Sequence, residues 1–255
     1  MSNSISVDES RLQQHGLLQA LQSFIYIVVV ALFIITFIAQ PFRIPSGSME
    51  PTLLVGDFLL ANKDLSTARA ATASLVPAGV IHRGEIIVFH YPVDPTQDLV
   101  KRVIGLPGDR VRLRDGRVLI DGRALDEPYA VYRASAPDEY RDQFPRVDHA
   151  DPSIDSRWWI EMHQLVRDGE LTIPPNRYFV LGDNRNDSED SRYWGLVPRE
   201  AIVGSPFLIY LSMNVADPDA DDTADLQADG NRRSNSPAAS LLGFARWNRT
   251  LRVPR

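Results

Sequence analysis

The hydropathy pattern divides the chain into a polar N-terminus, one long apolar run and a large remainder of short mixed segments. Residues 1–16 are polar, and 24–39 contain no charged side chain. Extended back to Leu17, the run covers about 34 Å as a helix, which is enough to cross a bilayer. The pattern therefore predicts an N-terminal segment at 1–16 followed by a transmembrane anchor at 17–40.

A cleavable signal peptide is the competing interpretation of this run. Cleavage needs small side chains at −3 and −1, and a signal peptide begins with a basic stretch. Phe37 stands at −3 relative to Ala39, and 1–16 is not basic, so the run is predicted to stay as an anchor. The positive-inside rule does not orient it, because Arg11 and Arg43 flank the two sides.

After the anchor, short runs of β-branched and aromatic residues are separated by Pro, Gly and Asp, which is typical of strands and turns. Such runs occur at 83–92, 99–105, 178–182 and 201–204, and a further strand, interrupted by Gly56-Asp57, is predicted over 53–62. Asp115-Gly116 predicts a hairpin turn between 111–113 and 118–122. Since no βαβ alternation is visible, the predicted fold class is mainly β. The predicted β domain comprises 41–125 and 171–214.

Three further segments have a different composition. The segment 126–170 is mostly polar with four prolines and predicts an inserted subdomain of low regularity. Six aspartates and few apolar side chains at 215–237 predict a disordered acidic loop. The segment 238–255 is basic and aromatic, with arginines at every third position from Arg246 to Arg255. That stripe favours either contact with an anionic membrane surface or a solvated basic tail.

Composition excludes several classes of function. The net charge of −6 and the pI of about 5.4 argue against nucleic acid as a partner. The chain has no cysteine, so disulfides, thiolate metal sites and cysteine nucleophiles are excluded. The five histidines show no metal-ligand spacing, and no metal or other cofactor is predicted.

Ser48 is a candidate nucleophile because it lies in a stiff turn directly after the anchor. Pro45 and Pro51 bracket it, and proline fixes φ and removes a backbone donor. The alternative is that Pro45–Leu53 is only a turn. A nucleophilic serine also needs a base to take its proton.

Lys101 is the candidate base. Lysine occurs only at Lys63 and Lys101, and Lys101 shares a predicted strand face with Leu99 and Val103. Loss of hydration on that apolar face lowers the pKa of an amine, so its neutral form can accept a proton. The alternative is a strand lysine whose ammonium group reaches back to water.

The third candidate segment is a dense polar run, 182–195, which follows a predicted strand. Its Asp, Asn and Arg side chains can pair with one another and with the backbone, which predicts a fixed loop. Ser188 and Ser191 lie inside this loop, so they are candidates for positioning a reacting group.

Together these segments resemble bacterial type I signal peptidase, the membrane-bound leader peptidase of the Ser/Lys family. Four stretches carry the resemblance in the family's order: PSGSMEPTL, RGEIIVFHYP, KRVIGLPGD and GDNRNDSEDSRYWGLVP. The resemblance implies an all-β catalytic domain of the signal-peptidase type. It implies Ser48 as the acylated nucleophile, Lys101 as the general base, Ser46 as an oxyanion-hole donor and Ser188 as the residue that orients the lysine.

The same resemblance implies two supporting sets. Asp190 and Arg192 match an ion pair that fixes the loop. Small apolar pockets for the substrate's −1 and −3 side chains match Ile44, Met49, Leu53, Val88 and Val100. The chain departs from the family pattern in the order Asn186-Asp187 and in having a single predicted span where some relatives have two.

The function expected from the resemblance is that of a serine endopeptidase that removes signal peptides from exported preproteins. The expected partners are those preproteins, the lipid bilayer and, as a further candidate, the translocation machinery. The expected location is the bacterial plasma membrane, with one span and the catalytic domain on the outer face. The alternatives are a self-cleaving repressor, which the anchor and the acidic balance oppose, and a non-catalytic, membrane-tethered peptide-binding β domain.

Overall fold

The fold is that of a computed structural model, which describes residues 5–33, 39–63, 80–136, 138–148, 151–215 and 244–254. The chain forms two compact units, 1–40 and 41–255.

The first unit consists mainly of one helix, α1 (Ile5–Phe33). It begins within the segment predicted as polar, and the large apolar side chains of its second half, such as Phe24 and Ile27, are exposed. Within the described residues, no helix has both the length and the apolar character that a bilayer crossing needs. The predicted anchor at 17–40 is therefore not confirmed, and 34–38 of it lie outside the described residues.

The second unit is mainly β, as predicted, and its described strands form two sheets. The larger sheet contains β1 (Ala39–Arg43), β2 (Asp57–Lys63), β3 (Ile86–His90), β4 (Asp98–Gly105), β10 (Arg177–Leu181), β11 (Val197–Pro198) and β12 (Ile202–Ser212). The smaller contains β5 (Arg110–Arg114), β6 (Arg117–Ile120), β7 (Arg123–Ala124), β8 (Val166–Arg167) and β9 (Glu170–Thr172).

The strand order of the larger sheet is β1-β2-β12-β3-β4-β10-β11, and that of the smaller is β7-β6-β5-β9-β8. In the larger sheet, β4 lies between β3 and β10 and pairs antiparallel with both. Its backbone is consequently hydrogen-bonded on both edges, and the strand is buried from Lys101 to Gly105.

Two sequence expectations can be compared directly with these strands. The Asp115-Gly116 turn joins β5 and β6 with φ of 50° and 73°, the paired positive values that a two-residue hairpin needs. The strand expected over 53–62 instead begins at Asp57. The Asp57 side chain accepts from the Leu54 backbone N–H, and this contact closes a turn before the strand.

The segment predicted as an insert, 126–170, contributes two helices and part of the core. These are α2 (Glu139–Asp142) and α3 (Ser156–Leu165), and the Asp155 carboxylate caps the start of α3. Trp158 and Met162 of α3 are buried in one cluster with Leu113 and Phe179. The expectation of low regularity is therefore wrong for α3. The mostly polar sequence of this helix did not indicate that Trp158 and Met162 would be buried in the core. Whether the segment is a separate domain stays a prediction.

The C-terminal residues 244–254 return to the larger sheet. They bridge to β12 through Ile209–Arg252, and Met213 just after that strand bridges to Ala245. Of the predicted acidic loop at 215–237, only Val215 belongs to the described residues, and 238–243 of the predicted basic segment also lie outside them.

Candidate active site

Ser48 lies in a tight turn between β1 and β2. Residues Gly47–Met49 form one turn of 3-10 helix, closed by the Glu50 N–H donating to the Gly47 carbonyl at 3.0 Å. Gly47 and Met49 are buried while Ser48 is half-buried. The turn therefore fixes the backbone and leaves the Ser48 hydroxyl at the surface.

The Lys101 amine lies against that hydroxyl. Its Nζ is 2.7 Å from Ser48 Oγ and 3.0 Å from Ser188 Oγ. Only 4% of Lys101 is exposed. Burial lowers the pKa of Lys101 to about 8, although the nearby Asp190 carboxylate acts in the opposite direction. A substantial fraction of the amine is thus neutral near physiological pH and able to accept a proton.

Gly182, just after β10, lets the three side chains approach. A Cβ at this position would lie 2.3 Å from Ser188 Oγ and 2.4 Å from the Ser48 carbonyl oxygen. The Asn184 N–H also donates to the Ser48 carbonyl at 3.1 Å. The 182–195 loop and the serine turn are therefore packed backbone against backbone.

Ser46 and the ion pair also occur close to this site. Ser46 Oγ is 3.4 Å from Ser48 Oγ. Arg192 donates to both Asp190 oxygens at 2.8 Å, and the Gly182 N–H donates to the same carboxylate. Burial opposes ionisation of Asp190, but the Arg192 guanidinium outweighs it, so the pKa of this carboxyl lies below its usual range.

A second buried ion pair supports the loop and was not predicted from the sequence. Arg102 donates to Asp183 from Nε at 2.8 Å and from Nη2 at 2.6 Å. The Thr52 hydroxyl donates to the same carboxylate at 2.6 Å. Asp183 therefore joins β4, the 182–195 loop and the chain that follows the serine turn. A signal existed for Arg102, since it directly follows Lys101 in a hydrophobic strand, but nothing in the pattern marks Thr52.

The five predicted pocket residues belong to the serine turn and the chain beside it and to strands β3 and β4. Ile44, Met49 and Leu53 belong to one buried cluster, against which Val100 packs. Val88 of β3 is buried and stands opposite Val100 of β4 in the sheet register. The set is thus one apolar patch.

A surface cleft of about 620 Å³ opens beside the reacting groups. Ser46, Ser48, Lys101 and Ser188 line it together with side chains from β4, the 182–195 loop and the 126–170 segment. A half-buried hydroxyl beside an amine of lowered pKa, in a cleft of this size, can carry out acyl transfer on a bound peptide.

Comparison with known proteins places the chain in a family of peptidases. The family model described as signal peptidase, peptidase S26, matches residues 17–211. Signal peptidase I of Pseudomonas fluorescens is 36% identical over 207 residues, which is 75% of this chain and 71% of that protein. Signal peptidase I of Aquifex aeolicus is 34% identical over 220 residues, or 74% and 82% of the two chains. A crystal structure of a signal peptidase I from Enterococcus faecalis, 33% identical, covers 51% of this chain and 98% of that chain with a TM-score of 0.37.

The fold, the site and these relatives define a hydrolase of the peptidase class. The chain belongs to the signal peptidase family, peptidase S26.

Proposed function

We propose that this chain is a membrane-bound serine endopeptidase that removes N-terminal signal peptides from exported preproteins. Ser48 is the nucleophile and Lys101 the general base. One observation carries the assignment: the buried Lys101 amine lies 2.7 Å from Ser48 Oγ. The distance is within hydrogen-bond reach for direct proton transfer, and burial supplies the neutral amine.

Acylation follows from this geometry. Lys101 Nζ takes the Ser48 proton as Oγ bonds to the scissile carbonyl carbon. The Ser48 N–H and the Ser46 hydroxyl are the proposed donors to the resulting oxyanion. The C–N bond then breaks, the leaving amine takes the proton from the Lys101 ammonium group, and the signal peptide stays esterified to Ser48.

Deacylation repeats the steps with water. Lys101 accepts a proton from a water molecule, whose oxygen attacks the ester carbonyl. Collapse of the second tetrahedral intermediate returns the proton to Ser48 Oγ and releases the signal peptide carboxylate. Ser188, 3.0 Å from Nζ, keeps the amine directed at the reacting atoms in both halves.

Specificity for small residues at −1 and −3 is assigned to the apolar patch formed by Ile44, Met49, Leu53, Val88 and Val100. Four of these five residues are buried, and the family resemblance implies that the pockets built on them are shallow. A shallow apolar pocket accepts Ala and rejects larger side chains by overlap. Asp190 and Arg192 are assigned a supporting role, since their buried ion pair holds the Gly182 end of the loop.

Membrane attachment belongs to the same proposal. The exposed apolar side chains of α1 favour contact with a lipid bilayer. Preproteins are cleaved after export, so the catalytic unit is assigned to the outer face of the bacterial plasma membrane. Its partners are exported preproteins and, as a further candidate, the translocation machinery.

The direct test uses the full chain in detergent and a labelled preprotein with an Ala-x-Ala site. Wild type should yield one product, whose N-terminus by mass spectrometry begins after the −1 alanine. Ser48→Ala should yield none. Ser205→Ala is the matched control, because this β12 hydroxyl donates to Glu85 and is outside the proposed machinery. Cleavage by Ser48→Ala at the wild-type rate would refute the proposal.

A further inference from the structure

The described C-terminal residues, 244–254, are called here the C-terminal arm. The arm runs beside β12, with the Leu251 N–H donating to the Ile209 carbonyl and the Ile209 N–H donating to the Arg252 carbonyl, both at 2.7 Å. The Arg246 N–H donates to the Ser212 carbonyl at 2.7 Å. The arm is thus attached by backbone hydrogen bonds at both of its ends.

Arg249 connects this arm to the chain that follows the nucleophile. Its Nη2 donates to the Thr52 carbonyl at 2.9 Å and to Asp57 Oδ2 at 2.6 Å. The Arg249 side chain is 11% exposed and the Asp57 side chain is fully buried. A buried, bidentate use of one guanidinium group fixes the positions of both partners, whereas an exposed pair would fix neither.

Thr52 is consequently held from two directions. Its carbonyl accepts from Arg249, and its hydroxyl donates to Asp183 of the 182–195 loop. The next residue, Leu53, donates its N–H to the Met49 carbonyl at 3.0 Å, and its side chain is fully buried. A shift at Thr52 therefore reaches both the Ser48 turn and the apolar patch.

We infer that Arg249 is a positioning residue for the peptidase reaction. Acting through Thr52, it fixes the position of the Ser48 turn relative to the 182–195 loop. It also fixes the position of Leu53 in the apolar patch that is proposed to receive the substrate. This rests on the proposed function. Arg246 and Arg249 belong to the basic stripe that was predicted either to contact a membrane surface or to be solvated. In the structure their guanidinium groups instead form hydrogen bonds with other groups of the protein.

The test must separate positioning from folding. Two preproteins that differ only in Ala or Val at −3 compete for the same enzyme, and the ratio of their kcat/KM values does not depend on how much enzyme is folded. Arg249→Ala should lower the preference for Ala by about threefold and lower kcat per folded molecule by about tenfold. Arg249→Lys keeps the positive charge beside Asp57 but cannot donate to two partners through a planar guanidinium group. Its preference for Ala and its kcat should therefore lie between those of wild type and those of Arg249→Ala.

Arg252→Ala is the matched control. This arginine lies three residues further along the arm, its side chain is exposed, and its contact with Ile209 is through the backbone. It should behave as wild type in both readouts. An Arg249→Ala enzyme with wild-type preference and wild-type kcat per folded molecule would overturn the inference. If wild type failed to cleave, or Ser48→Ala cleaved, the proposed function would fail instead.

Discussion

Replacing Gly182 by alanine tests whether the packing at the active site is as close as the structure requires. The φ of Gly182 is not in the left-handed region, so alanine can adopt the backbone without strain. The added methyl group is the whole perturbation. It would lie 2.4 Å from the Ser48 carbonyl oxygen and 2.3 Å from Ser188 Oγ, where ordinary contact begins at 3.4 Å.

The magnitude follows from the separation that must be gained. Either the serine turn or the 182–195 loop must move by about 1 Å, because the closest backbone atom cannot rotate away. A displacement of about 1 Å between reacting groups costs on the order of 100-fold in rate. Overpacking itself costs about 1–3 kcal/mol of stability, which would leave most molecules folded.

The assay compares kcat/KM for preprotein cleavage, per folded molecule, in Gly182→Ala and Gly105→Ala. Gly105 is the matched control, since its added Cβ would lie 2.3 Å from Ile173 Cδ1, 2.9 Å from Val111 Cγ2 and 3.1 Å from Phe179 Cβ. These three side chains belong to a core cluster that contains neither Ser48 nor Lys101, so Gly105→Ala should lose stability by overpacking but stay within about threefold of wild-type kcat/KM. A Gly182→Ala enzyme with wild-type kcat/KM would refute the close approach of loop and turn.

Four further predictions concern Lys101 and its buried neighbours. Because Lys101 acts as the neutral amine, kcat/KM should rise with pH to a plateau with a midpoint near 8; a rate independent of pH from 6 to 9 would exclude this base. Burial of the charged Lys101 amine lowers the free energy of unfolding below pH 8. This destabilisation disappears as the pH rises towards about 10.4, the pKa of a lysine amine in the unfolded chain. Lys101→Met should therefore be inactive and resist denaturant better than wild type at pH 7, with the advantage falling by pH 10; a constant advantage would contradict the linkage. Ser188→Ala removes one hydrogen bond to Nζ and should lower kcat/KM about fivefold, so an unchanged rate would remove its orienting role. Asp190→Asn leaves the Arg192 cation buried without its partner and should cost about 3–5 kcal/mol in urea unfolding; a loss below about 1 kcal/mol would show that the pair is not stabilising.

The parts of the fold that followed from the sequence are those governed by local rules. Period and residue type marked β3, β4, β10 and the first residues of β12. Asp115-Gly116 marked its hairpin because two consecutive positive φ values need such residues. The helix α3 was missed because its polar exposed face outweighed the buried Trp158 and Met162 in the pattern. Composition alone does not reveal which face of a segment of mixed polar and apolar residues packs against the core.

The predicted catalytic and supporting residues are close together in space, but their partners were only partly visible. Ser48, Lys101 and Ser188 stood out by their surroundings in the sequence and by the family resemblance. Thr52 did not, since a threonine in a turn has no local signature, and Arg249 stood out only as part of the basic stripe, with no sign of its partners. Their importance comes from contacts across 131 positions to Asp183 and 192 positions to Asp57. Such contacts are set by sheet topology.

The most direct test of the central claim is a double-mutant cycle on Ser48 and Lys101. Cleavage of the Ala-x-Ala preprotein is measured for Ser48→Ala, Lys101→Ala and the double variant, in the same detergent and per folded molecule. If the hydroxyl and the amine act as one unit, each single variant loses nearly all activity and the double variant loses no more. If instead the two losses multiply, or either single variant keeps wild-type cleavage, Ser48 and Lys101 are not a nucleophile and its base.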